Sequence, residues 1–293
     1  MGASEGKEEQ SLAFGGQALI EGIMIRSRTH MVMCVRQTED QILTHAVQIR
    51  PASERHWALG LPFLRGIFAL FESLYLGVKG IYFSVNAVLE EEEEEFTWKE
   101  WAVVIVLTLA LSSLFFVLPF LLTSLLHLTG VLFNVVEAVV RIAIFLLYIS
   151  LVATWGEFRR VLQYHGAEHK TINALEAGEA LEVENVKKFS RLHPRCGTSF
   201  IFIVVLVSIL LFSIMPSSDF FVRLAYRVVL IPVIGAVSYE LLRLSGKYRK
   251  SIIMKALTAP GLAFQRLTTR EPDDDMLEVA IRAVEEVNRL SGS

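Results

Sequence analysis

Two stretches of this chain contain no Asp, Glu, Lys or Arg: Trp101 through Val136, and Cys196 through Ser218. An uncharged apolar run of about 20 residues is long enough to cross the hydrocarbon core of a bilayer as a helix. The composition agrees with that reading. Of the 293 residues 53% are apolar, 19 are Phe and only 20% are charged, with a mean hydropathy of +0.47. A single large soluble domain is disfavoured. The expected fold is a mainly α integral membrane protein, with about four transmembrane helices and a small N-terminal β-rich cytoplasmic unit.

Four spans are expected, at roughly 101–124, 132–154, 199–216 and 220–240. Lys and Arg gather between the second and third spans (Arg159, Arg160, Lys170, Lys187, Lys188, Arg191, Arg195) and after the fourth, whereas Leu125 to Val131 has none. The positive-inside rule then places both termini and the middle segment in the cytoplasm of a multi-pass protein of the bacterial cytoplasmic membrane. Arg223 and Arg227 oppose this bias and are expected to snorkel or to face a polar interior. The opening Met1 to Gln10 is acidic and polar with no apolar core, so an internal span is expected to direct insertion.

The water-facing parts divide further. Residues 1–12 read as a flexible tail. Residues 13–56 read as a β-rich unit, with strands over 17–25, 31–35 and 42–49 and a turn over 37–41. Residues 57–98 combine an apolar helix over 60–89 with the acidic run Glu90 to Glu95, read as a solvated linker. Arg65, Glu72 and Lys79 recur every seven residues on that helix, which favours an interfacial or partly inserted position. The hairpins occupy 99–155 and 199–241, flanking the cytoplasmic segment 156–198. The remaining 242–293 ends in a helix announced by Asp273, Asp274 and Asp275.

The chemistry concentrates in 156–198. His165 and His169 fall one turn apart on one helix face, with Glu168 beside them. Two neutral imidazoles at that spacing can ligate a divalent metal, zinc being the best fit, while the carboxylate handles the proton of a water. The order His-x-x-Glu-His matches the inverted zincin pattern. Glu176 shares the face if the helix continues, although Gly178 suggests a stop. His193 and Cys196 precede the third span, near the same membrane face. They are candidate third and fourth ligands, and Cys196 is alternatively a nucleophile with a histidine base, or an ordinary buried thiol. The opposing reading makes the histidines an interfacial polar cluster without metal.

Supporting candidates are Glu21 and Arg26 in the N-terminal segment, then Lys170, Arg195 and Glu240. Within the second span Asn134, Glu137 and Arg141 form a polar stripe, and the last two can pair one turn apart. Cys34 and Cys196 give no disulfide framework. No basic cluster points to nucleic acid, and no phosphate-binding loop is present. The expected partners are the bilayer and an unknown membrane-associated substrate or protein.

Several motifs in order resemble the YqhQ-like family of bacterial membrane proteins, a domain of unknown function labelled a predicted metal-dependent enzyme. They are Gly15-Gly16-Gln17-Ala18 with Glu21-Gly22, Tyr164 to Lys170, His193 to Phe200, Ser238-Tyr239-Glu240, Pro260-Gly261 with Gln265, and Leu267 to Pro272. The resemblance covers roughly residues 12–285. It implies a metal-dependent enzyme; with the His165, Glu168 and His169 pattern, the expected function is a metal-dependent hydrolase at the inner membrane surface, acting on a peptide, lipid or lipid-linked substrate. A non-catalytic scaffold is the alternative and a transporter the third reading. Ile23-Met24-Ile25-Arg26-Ser27 departs from the Met-Met-Arg-Gly-like segment of relatives, away from the candidate ligands.

Overall fold

The computed structural model describes residues 14–50, 57–90, 97–194, 196–215, 219–248 and 251–291. The tail read at 1–12, most of the acidic run and Arg195 lie outside them. The chain divides into two compact units. The first comprises Met1–Glu93, Ala153–Cys196 and Leu262–Ser293, and the second comprises Glu94–Val152 and Gly197–Gly261.

The first unit is built on a four-stranded antiparallel meander in sequence order: β1 (Gly15–Leu19), β2 (Gly22–Arg26), β3 (His30–Arg36) and β4 (Ile42–Gln48). The single strand expected over 17–25 is two strands. Leu19 pairs with Gly22, so Ile20 and Glu21 form a two-residue turn. Glu21 takes a φ of 50° there, a left-handed conformation that tight hairpins require.

Strand periodicity separates the two faces. Ile23, Ile25, Val32 and Cys34 point one way into a core shared with α4 (Gly156–Ala177) and α10 (Asp274–Ser291). Leu19, Met24, Met31, Met33 and Val35 point the other way, onto Leu76, Phe83 and Ala87 of α1 (Leu64–Leu89). Each of the large aliphatic side chains buried here contributes about 1.5–3 kcal/mol. Only the later half of α1 carries the sheet: Ser84 Oγ accepts from Ile20 N–H at 3.3 Å, and Ala87 O accepts from the Gln37 amide at 3.0 Å. Phe68, Phe71 and Leu74 in its earlier half are exposed. Cys34 is a buried thiol that desolvation pushes up to about 11.

The second unit contains α2 (Trp98–Ser124), α3 (Gly130–Val152), α6 (Gly197–Ile214), α7 (Phe220–Val229), α8 (Ile231–Lys247) and the start of α9 (Ile252–Thr268). A short α5 (Val183–Val186) belongs to the first unit. Among the described residues four helices, α1, α2, α3 and α6, are long and apolar enough to cross a membrane. The expected fourth span is a pair, α7 and α8, bent by 45°. Pro232 opens α8, where its missing N–H and fixed φ suit a new helix start rather than an unbroken one. Inside this unit Glu137 and Arg141 pair at 2.7 Å, as their spacing predicts. Arg227 joins them, donating to the same carboxylate at 3.0 and 3.1 Å, so it faces a polar interior.

One close approach fixes the first unit. A Cβ on Gly166 would lie 2.0 Å from Arg270 O, a backbone atom with no freedom to swing aside. The extended residues 269–273, between α9 and α10, therefore lie directly against α4, and Arg270 N–H bonds to Leu162 O at 2.8 Å. Gly166→Ala is expected to force them apart, costing about 1–3 kcal/mol and lowering the melting temperature by roughly 5 °C. Gly156→Ala meets nothing within 4 Å and is the control, expected to change little. Equal melting of both variants by calorimetry would contradict the close approach.

Candidate metal centre

Helix α4 is unusual because its polar middle is buried on every side. Each residue from Gly166 through Ile172 is buried, including Glu168, His169 and Lys170. Polar groups removed from water need partners inside the protein. The following segment supplies them. The Lys170 ammonium donates to Lys187 O at 2.8 Å and Phe189 O at 3.0 Å, and meets the Glu271 carboxylate at 2.5 Å. The Asn173 amide donates to Ser190 O at 2.7 Å and Leu192 O at 3.1 Å. His169 Nδ1 lies 2.7 Å from Arg191 O. Side chains of α4 thus hold residues 187–192 as a strap along the helix. The helix itself stops where expected. Gly178 adopts a φ of 75°, and its N–H and that of Glu179 close onto Leu175 O and Ala174 O.

The strap delivers the other site residues. Gln265, fully buried on α9, clamps the His193 backbone from both sides: its carbonyl oxygen accepts from His193 N–H and its amide donates to His193 O, each at 2.8 Å. Three residues later Cys196 Sγ lies 3.2 Å from His165 Nε2. His165 Nδ1 is 2.8 Å from Thr268 O. A carbonyl oxygen can only accept, so each imidazole carries a proton on Nδ1, which in the neutral ring leaves Nε2 as the ligand atom. The His165 and His169 rings stand 4.4 Å apart. One ligand atom from each of His165, His169 and Cys196 falls within a mutual 4.8 Å. These three residues can hold a metal ion. Backbone carbonyls orient each imidazole as outer partners of metal ligands do.

Of the remaining candidates, His193 and Glu168 lie next to this group. His193 Nε2 lies 3.3 Å from Glu176 Oε1, and its ring is 5.8 Å from that of His169, beside the three-residue group. Glu168 is buried facing β1, and a Cβ on Gly16 would fall 2.3 Å from its carboxylate oxygen. A glycine is needed there to let the carboxylate in. Burial raises the Glu168 pKa, against the opposing pull of His165 and His193. Desolvation is also the largest influence on His169, lowering its pKa and favouring the neutral imidazole, the form that binds metal. Glu21 forms a bidentate pair with Arg160, and the Tyr164 hydroxyl donates to it at 3.3 Å. Arg26 ends β2, and Glu240 lies on α8 in the second unit.

Thr268, Arg191, Asn173 and Gln265 hold the site together and were not singled out as functional by sequence reasoning. The first two act through main-chain carbonyls, which leave no trace in residue identity. Gln265 stood within a family motif without an assigned role.

Fold and site together define a mainly helical protein with membrane-length helices and a sheet-and-helix unit bearing a His/His/Cys group of which His169 is buried and the other two are half-buried. Residues 61–290 match the family described as "Protein of unknown function (DUF1385)". The chain is 35% identical over 295 residues to "Uncharacterized protein YqhQ" of Bacillus subtilis (strain 168), covering 95% of this chain and 93% of that relative. It belongs to this YqhQ-like family of unknown function. No solved structure matches it.

Proposed function

We propose that the protein is a metal-dependent hydrolase of the bacterial cytoplasmic membrane, acting at the cytoplasmic surface on a peptide, lipid or lipid-linked substrate. The observation that carries this reading is the convergence of His165, His169 and Cys196 on one point, with both imidazoles aimed by backbone carbonyls. Three protein ligands leave a fourth position open, the arrangement of catalytic rather than structural zinc. A divalent metal held there, zinc by the mixture of imidazole and thiolate, supplies Lewis-acid polarisation of a carbonyl or phosphoryl oxygen.

The chain's own residues do the rest. Glu168, buried beside the group, accepts the proton of the attacking water and returns it to the leaving atom. Gly16 makes room for that carboxylate. His193, fixed by Gln265 and Glu176, borders the site. A second reading rests on the 3.2 Å contact of Cys196 Sγ with His165 Nε2, which is also the geometry of a thiol and its base. A scaffold with a closed structural metal is the non-catalytic alternative.

Membrane placement rests on the apolar helices and the Lys/Arg distribution. In this placement α1 lies at the interface, with the face bearing Phe68, Phe71 and Leu74 toward lipid.

The hydrolase reading predicts a split among variants. Glu168→Gln keeps the shape and the metal but loses complementation of a deletion strain. His165→Ala and His169→Ala lose both metal and complementation. A stable, metal-loaded Glu168→Gln protein that complements fully would remove the catalytic role and favour the scaffold. Topology has its own test. Thiol-labelling or reporter tags at Gly178, the N-terminus and Ser293 are all expected on the cytoplasmic side, and an external Gly178 would overturn the placement.

A further inference from the structure

The second unit carries a charge imbalance that the hydrolase reading does not use. Its helices are mostly apolar, and an unbalanced charge among them is costly. The Glu137 carboxylate is shared by Arg141 and Arg227. Arg141 is further satisfied by Ser208 Oγ at 2.8 Å and Phe115 O at 3.0 Å. Arg223 is a third cation on the same side. Its guanidinium stacks 3.9 Å from the centre of the Phe133 ring, and among the described residues it has no carboxylate in ion-pair contact. Asp219, the nearby acid, is exposed and accepts from Val222 N–H as the cap of α7.

Arg223 and Arg227 line a cavity of about 70 Å³, several times the space one water needs. Thr129, Asn134, Ser213 and Tyr226 complete its polar wall, and Gly130, the first residue of α3, lines it as well. The first N–H groups of a helix have no intrahelical acceptor and favour anions. Excess guanidinium charge, hydroxyl donors and a 23-residue helix N-terminus therefore converge on one space. Planar guanidinium groups match the oxygens of a tetrahedral oxyanion.

We propose that this cavity binds a phosphate group, with Arg223 as its principal cation and Thr129, Tyr226 and the start of α3 as further donors. The group belongs either to a phospholipid headgroup or to free phosphate, both presenting the same oxygens. Occupation offsets the excess positive charge and stabilises the bundle.

The test uses the full chain in detergent, with two arms. In one, inorganic phosphate is titrated at constant ionic strength against chloride, and melting is followed. In the other, lipid phosphorus per protein is measured after exhaustive detergent exchange from phosphatidylglycerol-containing vesicles. A free-phosphate site predicts a rise of roughly 5 °C at about a hundredfold excess over Kd. A lipid site predicts phospholipid retained through exchange. Whichever signal the parent chain shows is expected to disappear in Arg223→Met and to survive in Arg223→Lys. Thr129→Val with Tyr226→Phe gives the same comparison if Arg223→Met fails to fold. A parent chain with neither signal, or a signal unchanged in Arg223→Met or in the double variant, would overturn the proposal.

Discussion

Burial of the polar middle of α4 is the constraint on which the first unit depends. Glu168, His169 and Lys170 lie within one turn, all out of water. A helix enclosed on all sides is ordinarily apolar, because each unsatisfied buried donor or acceptor costs about 1–3 kcal/mol. Here the donors of α4 are spent on the carbonyls of residues 187–192. The strap is thereby specified without a sheet or a helix of its own. Its position then decides where His193 and Cys196 stand. Fold and site are consequently the same set of bonds, and the site cannot loosen without exposing the helix.

Two glycines make that enclosure possible. Gly166 admits the backbone at Arg270, which brings Thr268 O to His165. Gly16 admits the Glu168 carboxylate against β1. The sheet and the C-terminal segment come from separate stretches of the chain, yet both reach within contact of the same two turns of α4.

The sequence made some of this legible and hid the rest for identifiable reasons. The apolar runs, the strands expected over 31–35 and 42–49 and the acidic start of α10 are local features of the sequence, and they correspond to elements of the structure. The single strand expected over 17–25 divides in two because Glu21 takes a left-handed φ, with Gly22 immediately after it. The break between α7 and α8 had a visible sign in Pro232, outweighed by the apolar character around it. At the site, His165, Glu168, His169 and Cys196 were marked by residue type and spacing. The pairing of His193 with Glu176, and of Glu21 with Arg160, depends on long-range packing that spacing does not report. Within the second unit the Glu137–Arg141 pair followed from helical spacing, but the arrival of Arg227 on the same carboxylate required the tertiary fold.

The central claim is that His165, His169 and Cys196 form one metal-binding group. X-ray absorption spectroscopy of the purified, zinc-loaded full chain tests it most directly. The account predicts a first shell with two imidazole nitrogens at about 2.0 Å and one sulfur at about 2.3 Å, the sulfur disappearing in Cys196→Ser. A protein that takes up no zinc at near-stoichiometric level, or a zinc shell without sulfur, would contradict it.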